Sequence, residues 1–106
     1  MSRAHLAAKA ALPDAEERAE HCSEILKAVA HPLRLRIIAI LCGGEEHVNA
    51  LAEKLGVSQA IVSQQLRILR MRNLVGASRE NGFARYRLLE PNLRNLVACV
   101  ERCSVR

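Results

Sequence analysis

Aromatic residues are scarce in this sequence, which has one Tyr, one Phe and no Trp among 106 residues. A core without large rings must consist of Leu, Ile, Val and Ala side chains, and this favours packed helices over a β-sandwich. A chain of this length is expected to form one domain. Its formal net charge of +5 permits a nucleic-acid partner without requiring one.

Long apolar runs are also missing. No run approaches the roughly 18 residues of a membrane-spanning helix, and residues 1–12 show neither the apolar core nor the cleavage site of a signal peptide. We therefore expect a cytoplasmic protein with no membrane partner. In that compartment the four cysteines are expected to be reduced thiols, metal ligands or redox sensors rather than a disulfide framework.

The residue groups that carry out catalysis are missing as well. The sequence shows no set of nucleophile, base and oxyanion-stabilising residues, no phosphate-binding loop and no paired carboxylate site. We therefore expect no enzyme activity.

A helix-turn-helix is predicted for residues 48–73. A short helix with one apolar side is followed by Gly56, which can take the positive φ found after a helix C-terminus. Ser58 then supplies a hydroxyl that can accept a hydrogen bond from an early backbone N–H of a longer helix. This arrangement is typical of proteins that place the second helix in the DNA major groove.

The two sides of the second helix differ in chemistry. At about 100° per residue, one side carries Ile61, Val62, Leu66, Ile68 and Leu69. The other side has no carboxylate and carries Gln59, Ala60, Ser63, Gln64, Arg67 and Arg70. Amides and hydroxyls near the start of a helix can bond base edges, and arginines behind them can hold phosphates. The alternative is an ordinary solvated surface, but such a surface usually mixes acidic with basic residues.

Asn81-Gly82 between two alternating segments predicts a β-hairpin, because both residues tolerate the positive φ of a type I′ turn. The hairpin is expected to expose Arg79, Arg85 and Arg87. Since it directly follows the helix-turn-helix, we interpret it as a wing that lies along a DNA backbone. The alternative is a solvated hairpin without a partner.

Three further helices are predicted around this centre. They are expected over about residues 15–29, 32–42 and 91–104, with Glu45 and Glu46 in a loop. The Ala-rich residues 1–13 are expected to form a flexible arm, which leaves 14–106 as the winged helix-turn-helix domain. The fold class is therefore mainly α with a small β-hairpin, and with about five helices.

Several stretches together resemble the ArsR/SmtB family of bacterial winged-helix repressors, over about residues 22–104. The resemblance rests on residues 26–35 with the apolar run after them, 51–59, 62–66 with Leu69, and 86–88. It implies a bacterial homodimer formed through the first and last helices, which binds double-stranded DNA at an inverted repeat over a promoter. It also implies that a metal ion or a thiol-reactive species ends repression.

The resemblance assigns DNA contacts position by position. The major-groove residues of the family match Ser58, Gln59, Ala60, Ser63 and Gln64, and its wing residues match Arg79 and Arg85. Arg67 joins this set as a phosphate ligand because of its place on the cationic part of the helix. Gln65 stands where many members of the family carry His.

The metal sites of the family are not preserved here. Where one site has Cys-Val-Cys, this chain has residues 47–49, His-Val-Asn, and Asn is a poor ligand for a transition metal. Where another site has Asp-x-His and His-x-x-Glu, this chain has Glu90, Asn92, Cys103 and Arg106. The sequence therefore predicts neither of these metal sites. A thiophilic metal(loid) ion remains the one candidate cofactor.

The four cysteines are the candidate sensors. Cys99 and Cys103 share a helix face with Cβ atoms about 6 Å apart, which suits two ligands of a soft ion better than a disulfide. Cys22 on the first helix could complete such a cluster across the dimer. The resemblance offers Cys42 and Cys103 as an alternative pair that responds to persulfides or peroxide. Each cysteine could instead pack as a small apolar side chain.

These observations together predict a homodimeric repressor that is released from its operator by a thiol-reactive or metal inducer. The alternative is a thiol-based metal- or redox-buffering protein whose DNA binding is vestigial.

Overall fold

A computed structural model of the chain describes residues 14–103, over which five α-helices surround a small three-stranded sheet. In chain order the elements are α1 (Ala15–Val29), α2 (Pro32–Cys42), β1 (Glu46–His47), α3 (Val48–Leu55), α4 (Gln59–Met71), β2 (Val75–Glu80), β3 (Phe83–Leu88) and α5 (Leu93–Glu101). This order confirms a winged helix-turn-helix. The arm predicted for residues 1–13 lies outside the described residues. Within them, no helix is both long enough and apolar enough to cross a membrane.

Polar side chains begin the first, second and fourth helices. Asp14 Oδ1 accepts from the Glu17 backbone N–H at 2.7 Å, and Ser58 Oγ accepts from the Ile61 N–H at 3.2 Å. The Ser58 cap was predicted from the sequence. Helix α2 begins at Pro32 as predicted, but it is also capped by His31 Nδ1, which accepts from the Leu33 N–H at 3.1 Å.

The core of the described chain is entirely aliphatic, as the shortage of aromatic residues predicts. It consists of Ala28, Val29, Ile37, Ile38, Leu41, Leu51, Ala52, Leu55, Val62, Leu66, Leu69, Leu74, Val75, Leu93 and Val97. From α4 it takes three of the five apolar residues expected on the inner side, because Ile61 is 41% exposed and Ile68 is only half-buried. Val62 and Leu66 define the centre of the buried side, and Ile61 projects roughly 100° or more away from that centre.

The sheet contains one strand that the sequence did not predict. Its order is β1-β3-β2, and all neighbouring strands are antiparallel. Glu46 and His47, expected in a loop and a linker, form β1 and pair with Tyr86 and Arg85 of β3. A strand of two residues has no alternation to detect, and it forms here because β3 offers a free edge. The predicted hairpin is confirmed by positive φ at Asn81 (53°) and Gly82 (83°).

The last helix is shorter than its apolar stripe predicts, since it starts at Leu93 and ends at Glu101. Before it, Glu90 Oε1 accepts from the Asn92 backbone N–H at 3.1 Å and holds a tight turn. After it, the Cys103 N–H donates to the Val100 carbonyl at 3.0 Å, so the chain leaves α5 through a turn of i to i+3 type. Cys103 therefore follows the helix rather than lying inside it.

Candidate nucleic-acid interface

The outer side of α4 is a continuous polar surface. This surface and the residue before the helix expose side chains predicted to contact DNA: Ser58, Gln59, Ala60, Ser63, Gln64 and Arg67. Helix α4 contains no Asp or Glu along its whole length. The surface therefore offers amide, hydroxyl and guanidinium groups and no carboxylate to repel a phosphate.

Burial of the opposite side fixes the orientation of this surface. Val62, Leu66 and Leu69 are all 0% exposed, so α4 cannot rotate about its axis without exposing its apolar side. Gly56 ends α3 with φ of 70°, which allows the sharp turn between the two helices. Gln65 is half-buried and accepts a hydrogen bond from Arg34, so it does not belong to the outer surface.

The three arginines of the wing differ in how far they are exposed to solvent. Arg79 and Arg87 are exposed, and Arg79 Nη1 donates to the Gly82 carbonyl at 3.2 Å. Arg85 is less exposed than the hairpin pattern predicts, because β3 is the central strand and has neighbours on both sides. Its Nε atom is buried without a hydrogen bond within residues 14–103 and lies 3.4 Å from Glu80 Oε2.

Between α4 and β3 lies a cleft of about 450 Å³ that the sequence did not indicate. Its lining combines residues of both elements: Ser63, Arg67, Arg70, Met71 and Tyr86. No DNA contact was predicted for Tyr86 from the sequence. No sequence signal could bring Tyr86 and Arg70 to one cleft, because the two residues meet only when the hairpin folds back along α4.

Three of the four cysteines are exposed. Cys22 on α1 and Cys99 on α5 are exposed, and so is Cys103, whose thiol is 3.7 Å from the Cys99 carbonyl oxygen, which accepts from it. Cys42 at the end of α2 is half-buried, and burial raises the pKa of its thiol above the ordinary value. Arg94 opposes this shift in the pKa and Glu101 adds to it.

Metal-binding geometry is not found within the described part of the chain, where no three His, Cys, Asp or Glu side chains group in a way that could hold an ion. His47, which stands in place of a thiolate ligand of the family, has another role. Its Nδ1 is 3.2 Å from the Ala84 carbonyl oxygen, and its ring meets Phe83 edge-on with centroids 6.2 Å apart. His47 thus joins the start of α3 to the wing, and the residues present do not fit the family's metal sites.

Comparison with known proteins gives a consistent result. The family model described as "Bacterial regulatory protein, arsR family" matches residues 31–76. The chain is 40% identical over 86 residues to the biofilm growth-associated repressor of Agrobacterium fabrum, covering 81% of this chain and 74% of that protein.

Two solved structures extend the comparison to the fold. The transcriptional repressor BigR from Xylella fastidiosa superimposes with a TM-score of 0.77 at 31% identity, covering 99% of this chain and 100% of that one. A homodimeric winged helix-turn-helix DNA-binding domain from Mycobacterium bovis superimposes with a TM-score of 0.72 at 29% identity, covering 85% of this chain and 86% of that one.

Proposed function

The chain belongs to the ArsR family of bacterial regulatory proteins, and from this we propose that it is a homodimeric repressor that binds an inverted-repeat operator in double-stranded DNA. The observation that carries the proposal is the outer surface of α4, which is polar and cationic, free of carboxylates and fixed by burial of its other side. The related repressor of Agrobacterium fabrum supports the same role.

Two parts of the α4 surface are proposed to contact different parts of the DNA. Near its start, Gln59 and Gln64 present amides that can bond two edge atoms of an adenine in the major groove. Further along, Arg67 can hold a phosphate, as can Arg79 in the wing. Arg85, which the resemblance also assigns to DNA, would have to exchange its contact with Glu80 for a phosphate.

A second copy of the chain is proposed to pack against α1 and α5. A groove of about 450 Å³ runs between these helices, and its apolar lining includes Ile25, Leu26 and Leu96. Leu26 is 50% exposed in the single chain, an unfavourable position for a large aliphatic side chain unless it is covered. The homodimeric domain from Mycobacterium bovis supports this assembly. Two copies of α4 could then enter successive major grooves of an inverted repeat.

The inducer is proposed to act on thiols at this interface. Cys22 lines the groove between α1 and α5, and Cys99 and Cys103 are exposed on or just after α5. Modification there would alter the packing of the two protomers and hence the distance between the two copies of α4. A thiophilic metal(loid) ion would need thiols from both protomers, since no three ligands group within residues 14–103 of one chain. Cys42 is the weaker candidate, because its raised pKa keeps the thiol protonated.

Retardation of DNA tests the proposal. Reduced full-length protein is mixed at low salt with the region upstream of its own gene and, separately, with a random duplex pool from which bound sequences are recovered. Binding enriched for an inverted repeat is expected, and no retardation of any duplex at low salt would exclude the repressor function. Zinc or arsenite uptake without DNA retardation would instead support the buffering protein.

The inducer is tested in the same assay. Peroxide, a persulfide donor, arsenite and zinc are added to the preformed complex, and mass spectrometry identifies the modified thiols. We expect a thiol-reactive compound to release DNA from the wild type but not from a Cys22→Ala, Cys99→Ala, Cys103→Ala triple variant. Equal release from both proteins would refute sensing through these three thiols.

A further inference from the structure

The polar side chains that line the cleft between α4 and β3 have no partner in the part of the chain that the structure describes. The side chains of Ser63, Arg67, Arg70 and Tyr86 make neither a hydrogen bond nor an ion pair there. Other arginines nearby differ, because Arg72 Nη2 lies 2.7 Å from Glu24 Oε2 and Arg85 is paired with Glu80. The cleft thus combines two uncompensated guanidinium groups with two hydroxyls.

The chemistry of the cleft is that of an anion site. No carboxylate lines it, so a bound anion would meet donors without a competing negative charge. A guanidinium group presents several N–H donors in a planar arrangement that matches two oxygens of a phosphate. Arg67 and Arg70 lie three residues apart on α4 and therefore project from adjacent turns of the same side.

Tyr86 gives this site a rigid component. Its ring packs against the hydrophobic core, and its backbone is held on both sides because β3 pairs there with Glu46 of β1 and Ala77 of β2. The hydroxyl therefore occupies a fixed position before any ligand arrives. Ordering this donor on binding costs little conformational entropy, unlike the ordering of a flexible arginine.

The location of the cleft beside α4 indicates that its phosphate would belong to the DNA backbone. If α4 enters the major groove, the adjoining hairpin reaches toward the neighbouring minor groove. The cleft lies between α4 and the hairpin, so it would face the sugar-phosphate backbone that separates the two grooves. We propose that Arg67, Arg70, Ser63 and the Tyr86 hydroxyl hold a phosphodiester of that strand. The inference rests on the proposed DNA binding and adds a specific backbone contact to it.

Binding measurements on full-length variants at several salt concentrations test the site. Tyr86→Phe removes one neutral donor, so its affinity for operator and unrelated duplexes is expected to fall about tenfold with an unchanged salt slope. Arg70→Gln removes a charge, so the slope of log K against log salt should decrease by about 0.9. Arg36→Gln, an equal change of charge at an exposed position of α2, is the control and should alter neither quantity. Thermal unfolding of each variant verifies the fold.

A chemical change in the DNA identifies the phosphate. Single methylphosphonates, which remove the charge of one phosphodiester, are placed in turn along the operator. One position is expected to weaken the wild type but to have little additional effect on Arg70→Gln, since the two changes remove the same contact. Additive losses at every position would overturn the proposal.

Failure of this site is distinguishable from failure of the proposed function. If the wild type binds no duplex at low salt, DNA binding itself is refuted. If the wild type binds DNA and both Tyr86→Phe and Arg70→Gln match Arg36→Gln in affinity and slope, only the phosphate site is refuted.

Discussion

Arg34 of α2 donates from Nη1 to Gln65 Oε1 of α4 at 2.8 Å, and the same guanidinium donates from Nε to the Ala28 carbonyl at 2.5 Å. One side chain therefore connects the end of α1, the start of α2 and the middle of the proposed DNA-reading helix. Arg34 is half-buried between these elements. A second link, between Glu24 and Arg72, joins α1 to the residue after α4. The two links thus connect α1 and the start of α2 with the middle and the C-terminal end of α4.

Removing the Gln65 amide should destabilise the protein and disturb DNA reading together. In Gln65→Ala, the half-buried Arg34 guanidinium loses its acceptor on α4, and we expect a loss of about 1–2 kcal/mol in the free energy of unfolding. The affinity ratio of operator to unrelated DNA should also fall. Urea denaturation and binding assays on Arg34→Ala, Gln65→Ala and the double variant measure the coupling. Arg36→Ala is the control, and its free energy of unfolding should stay within about 0.5 kcal/mol of the wild-type value. Strictly additive effects of Arg34→Ala and Gln65→Ala would contradict the hydrogen bond between these two side chains.

The two serines of the helix-turn-helix should respond with opposite signs. Ser58 caps α4 by accepting from the Ile61 N–H at 3.2 Å, so Ser58→Ala should lower the free energy of unfolding by about 1 kcal/mol. The Ser63 hydroxyl, in the same helix, has no hydrogen-bond partner within residues 14–103, and Ser63→Ala should raise the free energy of unfolding by a few tenths of a kcal/mol, about the difference in helix propensity. Chemical denaturation of both variants provides the check. Equal changes would show that the cap contributes nothing.

Stability should decline in alkaline solution through Cys42. Burial raises the pKa of this thiol in the folded chain above its ordinary value near 9.0, so the folded state binds the proton more tightly than the unfolded state. The resulting stabilisation is complete below the unfolded pKa and is lost as pH rises through the folded pKa. The free energy of unfolding, measured from pH 7 upward, should fall more steeply in wild type than in Cys42→Ala. Parallel curves would show that the thiol does not titrate differently on folding.

Two further variants should distinguish contacts to DNA bases from contacts to the DNA backbone. Gln64→Ala should lower affinity for the operator while leaving unrelated duplexes nearly unchanged, because an amide in the major groove distinguishes bases. Arg79→Gln should weaken every duplex about equally and flatten the salt slope, because a wing arginine contacts phosphate. Anisotropy titrations with operator and unrelated duplexes measure the ratio of the two affinities for each variant. A uniform loss in Gln64→Ala would remove Gln64 from the base-reading set.

Local features of the fold were predictable because each depends on neighbouring residues. The Ser58 cap, the positive φ at Gly56 and the Asn81-Gly82 turn follow from steric and hydrogen-bonding preferences of single residues. The aliphatic core and the carboxylate-free side of α4 follow from composition and helical periodicity. These features were sufficient to predict the winged helix-turn-helix and its proposed DNA-reading side.

Tertiary structure decided the features that join distant residues. Strand β1 exists because β3 offers an edge to Glu46 and His47, and the exposure of Arg85 falls because that pairing makes β3 central. The Arg34–Gln65 link spans 31 positions, and Tyr86 meets Arg70 only across the cleft. The sequence by itself thus determined which helices and turns form and which side of α4 is polar, since these arise from local sterics and periodicity. Only folding decided which polar groups meet, because hydrogen bonds and charges act between atoms close in space, wherever their residues lie in the chain.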